Sequence, residues 1–105
     1  MVNEILNAAG ICYRRARFLK PPAQTYAVFT DDVEAIGGDY VIGAWHHQIT
    51  VEVYEPAPDD QAEAAIECAL SERGVQYEKQ DRYWLQAEQR YQVVYEFDYY
   101  TKRRN

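Results

Sequence analysis

Apolar residues at positions 2, 5, 6 and 9 recur with the spacing of one helical face, and Gly10 follows where a left-handed residue would close a helix. Val2 to Ala9 therefore reads as a short helix, with Asn3 as its candidate cap. From Ile11 to Phe18 the chain turns aromatic and basic and reads as a strand exposed on one side, ended by Pro21-Pro22, which cannot donate to a ladder. Thr25 to Thr30 is rich in β-formers, and the acidic stretch Asp31 to Asp39, with Gly37-Gly38, reads as a solvated, mobile loop. Tyr40 to Tyr54 is the longest strand candidate. From Trp45 it alternates, with Trp45, His47, Ile49, Val51 and Val53 on one face and His46, Gln48, Thr50, Glu52 and Tyr54 on the other.

Pro56 and Pro58 stop that strand. Asp60 and Glu63 then have the spacing of a capping box, and Ala62, Ala65, Ile66, Ala69 and Leu70 form a narrow apolar stripe closed by Gly74, which predicts a second, longer helix. Val75 to Ala87 and Tyr91 to Tyr100 read as two further β segments forming a terminal hairpin. The order α-β-β-β-α-β-β lacks the strand–helix alternation of a doubly wound sheet. It predicts one α+β domain over residues 1–105: a single, mostly antiparallel sheet with one long helix packed on it and a short N-terminal helix.

Composition narrows the chemistry. A chain of 105 residues buries roughly 60–68% of its unfolded surface, enough to fold unaided but with little room for an enclosed cofactor. No apolar run reaches the roughly 18–20 residues that cross a bilayer, and the start lacks a signal-peptide pattern, so a soluble cytosolic protein is expected, without membrane contact. Cys12 and Cys68 form no ligand or redox spacing and read as free thiols. The net charge of -6 is uneven: residues 1–20 carry four bases and one acid, 102–105 three bases, and 21–101 sixteen acids against four bases. An acidic body does not wrap nucleic acid, which requires a contiguous basic surface.

Candidate catalytic parts are few. His46 and His47, as strand neighbours, point to opposite faces and cannot readily share a metal ion; His47 reads as a partly buried sheet residue and His46 as facing solvent or an interface. Nothing local activates Cys12 or Cys68, Ser71 has no nucleophile elbow, and no phosphate-binding glycine loop exists. The acidic groups Asp31-Asp32-Val33-Glu34, Asp59-Asp60 and Glu96-Phe97-Asp98 read as loop, helix start and wet strand face. No catalytic residue, metal or cofactor is expected. Ten tyrosines in all, and five Tyr or Phe rings within 91–100, exceed the needs of so small a core and suit an interface. Arg14, Arg15, Arg17 and Lys20, with Lys102, Arg103 and Arg104, read either as edge protection and a solvated end or as a contact to the acidic body of another copy.

The arrangement as a whole resembles a known group. A short helix, a Tyr-rich strand, the Pro-Pro break, Tyr26-Ala27-Val28-Phe29, an acidic loop, Val51-Glu52-Val53-Tyr54, a helix, Gly74-Val75-Gln76-Tyr77-Glu78-Lys79 and Arg90 to Phe97 together resemble small tail proteins of long-tailed bacteriophages and prophages, the tail-terminator or tail-completion group encoded near the neck genes. The resemblance implies an α+β subunit forming a homo-oligomeric ring, a hexamer, that caps the last ring of the tail-tube protein, halts tube growth and presents a surface to a head-connector or stopper protein. DNA would meet it only by passing through the lumen, and it would reside in the virion after assembly in the bacterial cytoplasm. On that reading Tyr13, Arg14, Arg15, Arg17, Phe18, Tyr95, Phe97, Tyr99 and Tyr100 make subunit or tube contacts, the loop bearing Asp31, Asp32, Glu34 and Asp39 faces the partner ring, and Lys102, Arg103 and Arg104 form a basic tail. The alternatives are a dimeric α+β module that binds a small ligand or regulates, and a small enzyme using His47 with a carboxylate.

Overall fold

A computed structural model describes residues 1–37 and 42–102. Its elements are α1 (Val2–Ala9), β1 (Cys12–Arg15), β2 (Tyr26–Gly37), β3 (Ile42–Glu55), α2 (Asp60–Glu72), β4 (Glu78–Lys79), β5 (Tyr83–Leu85) and β6 (Arg90–Lys102). They form an α+β domain with one six-stranded sheet. Its order is β1-β2-β3-β6-β4, with β5 also on β6; β1 runs parallel to β2 and every other pair is antiparallel.

The alternation that predicted β3 sorts the whole sheet. Ala27 and Phe29 of β2, Ile49, Val51 and Val53 of β3, and Val93, Tyr95 and Phe97 of β6 share one face and pack with Val2, Ile5 and Leu6 of α1 and Ile66, Ala69 and Leu70 of α2. Both helices thus cover this helix face, and the opposite, open face has no helical layer. Its buried residues are Tyr26 and Val28, beside the segment before β2: Phe18 meets Tyr26 edge-on at 5.2 Å, and Arg90 crosses the Tyr26 ring while donating to the carbonyls of Pro22, Ala23 and Gln24.

The elements depart from the sequence reading in five places. The strand expected over 11–18 stops at Arg15, because Ala16 adopts a left-handed φ of 68° that turns the chain away. The acidic stretch is strand, not loop: β2 runs through Asp31, Asp32 and Glu34 to Gly37, paired residue by residue with β3. Helix α1 has Met1, not Asn3, at its cap position, with no side-chain capping bond. Helix α2 is 13 residues long and is capped by Asp59, whose carboxylate accepts from the Ala62 backbone N–H at 3.0 Å; Asp60 and Glu63 make no capping box. The segment 75–87 is broken into β4 and β5, both paired with β6.

At about 3.3 Å per residue the 14-residue β3 spans roughly 46 Å, which accounts for a long axis of 50 Å against 28 and 21 Å for the others. The helices cover only half of that length. Beyond Phe29, Ile49 and Phe97, strands β2, β3 and β6 continue as a three-stranded arm.

Candidate functional site

The arm gathers most residues that the sequence singled out. Its first layer on the helix face holds Asp31, His47 and Tyr99: His47 Nδ1–H donates to the Asp31 carboxylate at 3.1 Å, Nε2 lies 3.0 Å from Thr101 Oγ1, and the imidazole stacks on Tyr99 at 4.5 Å and 2°. On the open face His46 lies 2.7 Å from Asp98 and stacks on Tyr100 at 4.5 Å and 14°. Both stacks join directly opposed residues of β3 and β6, where such pairs contribute roughly 0.2–1 kcal/mol each. The two histidines do lie on opposite faces, and each is half-buried; together they clamp β3 to β6 from both sides. Among the described residues no three His, Cys, Asp or Glu side chains converge as a metal site.

Asp31, His47 and Thr101 follow the acid, base and hydroxyl order of a nucleophilic triad. Among the described residues the backbone beside them offers no oxyanion donors. All three project from one pleated face, where the neighbouring backbone N–H groups lie in the plane of the sheet and not above it, the position an oxyanion would occupy.

Past this layer the helix face of the arm carries Val33, Ala35, Trp45 and Thr101, with Val33 49% exposed. The open face carries Ile36 at 40% and Tyr100 at 62% exposure, beside six carboxylates, Asp32, Glu34, Glu52, Glu78, Glu96 and Asp98, that sequence reading had split between loop and strand. Antiparallel pairing puts them on one surface. An open hollow of about 580 Å³ there is lined by Asp32, Gln48, Thr50, Glu78, Glu96 and Asp98 among others.

The candidate contact residues are divided by the fold. Tyr95 and Phe97 are core, not interface: Tyr95 is wholly buried, its hydroxyl donating to Glu67 at 2.8 Å, and Phe97 is 6% exposed. Their alternation with Glu96 and Asp98 points them inward. Tyr13 is half-buried against Phe29, and Phe18 packs on Tyr26 beneath the Arg14 guanidinium. Arg14, Arg15 and Arg17 are exposed near the base of the sheet. Tyr99 and Tyr100 are on the arm, and Lys102 ends β6 at its outer part. Asp39, Arg103 and Arg104 lie outside the described residues. Cys12 and Cys68 are exposed free thiols, and the Glu72 carboxylate beside Cys68 pushes its thiol up.

One cluster escaped sequence reading. Glu55, wholly buried at the end of β3, and Glu63, 6% exposed on α2, share the Arg82 guanidinium, which also reaches Asp60 at 2.8 Å; Lys79 binds Glu63 and Glu67 at 2.9 Å each. Burial, then the hydrogen bond with Glu63, pushes the Glu55 carboxyl up to about 7. Burial also pushes Glu63 up, but its bonds with Glu55, Arg82 and Lys79 outweigh this and hold it below the usual range. This network ties the linker that carries β4 and β5 to α2. Only the alternation of Glu55 with Val51 and Val53 hinted at its buried position.

Among the described residues no helix is long and apolar enough to cross a membrane. Set against known protein families, the chain matches no family model, and no curated protein matches it in sequence.

Proposed function

We infer that this chain is a structural tail protein of a bacteriophage or prophage, whose copies form a ring that caps the tail tube, ends its polymerisation and offers the joining surface to the head connector. The phage assignment rests on the sequence resemblance. The observation that best supports a self-assembling role is the arm: three paired strands run beyond the helical layer, and among the described residues one edge of β2 and one edge of β6 have no strand partner there. Function carried by surfaces also suits hollows of about 580 and 610 Å³ among the described residues that open broadly to solvent.

We assign the carboxylate-bearing open face to the passage through which DNA moves. A lumen of like charge lets a polyanion slide without adhering. Inactivating the gene in the producing lysogen and imaging the particles tests the function: tails of uncontrolled length without heads are expected. Normal tails joined to heads would contradict the role.

A further inference from the structure

We propose that the two free edges of the arm pair with each other between copies, the outer edge of β2 in one copy against the outer edge of β6 in the next, as parallel strands. This rests on the ring reading and specifies its joint. Strand β1 covers the β2 edge only as far as Phe29, and β4 and β5 cover β6 only as far as Glu96. Among the described residues, therefore, positions 30–37 and 97–102 each have one edge with no strand partner. Both edges belong to the same arm at the same height, since Thr30, Thr50 and Glu96 are successive partners across it.

Open edges of this length are normally blunted by proline, by a bulge or by charged side chains, lysine above all. The β2 edge has neither proline nor lysine before the irregularity at Ile36 and Gly37. What it carries is acid, Asp31, Asp32 and Glu34, whereas β6 ends in Lys102 and the sequence continues Arg103-Arg104. Pairing β2 with β2 would oppose acid to acid, so the charges favour the head-to-tail joint. Strands in a closed sheet are staggered, and a stagger of two residues puts Glu34 across from Lys102 on the open face while removing Asp98 from Asp32. Because the arm is three strands wide and the base wider, copies joined at their arms splay at their bases. Each copy contributes one edge of each kind, so the joint repeats and closes into a ring when the rotation allows.

The test is sedimentation velocity on the full chain and on two variants, one reversing the β2 edge (Asp32→Lys with Glu34→Lys) and one reversing the β6 end (Lys102→Glu with Arg103→Glu and Arg104→Glu), each checked for folding by circular dichroism. The expected result is assembly of the natural chain, 12.3 kDa for each variant alone, and assembly restored when the variants are mixed in equal amounts. If the natural chain assembles beyond a dimer and either folded variant still does so alone, the edge pairing is wrong while the ring stands; a natural chain that stops at a dimer, as two-fold pairing of β6 edges would give, overturns both. A natural chain that stays at 12.3 kDa at all concentrations overturns both.

Discussion

Replacing Arg82 by Met removes the cation between two buried carboxylates while keeping most of the aliphatic stem. Truncating one partner of a fully buried ion pair costs about 3–5 kcal/mol, because the remaining charge is stranded. Here Lys79 still holds Glu63, and the Arg82 side chain is 28% exposed, so about 2–4 kcal/mol is expected at slightly alkaline pH. With a urea slope of about 1.5–2 kcal/mol/M for a domain of this size, the midpoint falls by about 1–2 M. The loss depends on pH, because stranded carboxylates escape their cost by taking up protons. At about pH 5 the variant should recover at least half of the difference, since Glu55 is already largely protonated there and Glu63, freed of Arg82, titrates higher. Urea titrations followed by tyrosine and tryptophan fluorescence at about pH 5 and about pH 8 measure both quantities. An equal loss at both pH values, or a loss under about 1 kcal/mol at the higher, would refute a buried charge network.

Glu55→Gln tests the other side of that network. The Glu55 carboxyl rises from 4.5 to about 7 on folding, so the folded state holds more protons in that window and stability falls as pH rises through it. The variant should lose much of this fall, seen as a flatter melting-temperature profile between about pH 5 and 8; an unchanged profile would exclude Glu55 as its source. Tyr95→Phe removes the hydroxyl that donates to Glu67 and should cost about 1 kcal/mol in urea unfolding, with no change in mass. Ala16→Gly relieves a left-handed φ and should stabilise by about 0.5–1 kcal/mol, whereas destabilisation would mean that Ala16 is unstrained. His47→Ala removes one clamp of the arm and should speed amide hydrogen exchange in β6 beyond Phe97 while leaving the core protected.

The core was legible in the sequence wherever apolar positions alternated or repeated with helical spacing. Trp45 to Val53 fixed β3 and its buried face, and Val2, Ile5 and Leu6 fixed α1. The β2 extension was hidden by its acids, since Asp is a poor strand former and the glycine at position 37 reads as a loop signal. The alternation of Asp32 and Glu34 with Val33 and Ala35 was nonetheless present. What makes it strand is β3, which partners all twelve residues of β2, with His47 taking up the Asp31 carboxylate. The Glu63 capping box failed for a related reason: Asp59, held by the Thr25 hydroxyl at 2.6 Å, took the cap one residue earlier, and Glu63 was left to turn inward toward Arg82. Contacts between residues 19 and 34 positions apart in sequence leave no local signature.

The central claim is that one copy is only part of the working object. Native mass spectrometry of the purified full chain over a range of concentrations tests it most directly. A single closed stoichiometry above two, at a whole multiple of 12.3 kDa, is the result expected. A mass of 12.3 kDa at every concentration would contradict it.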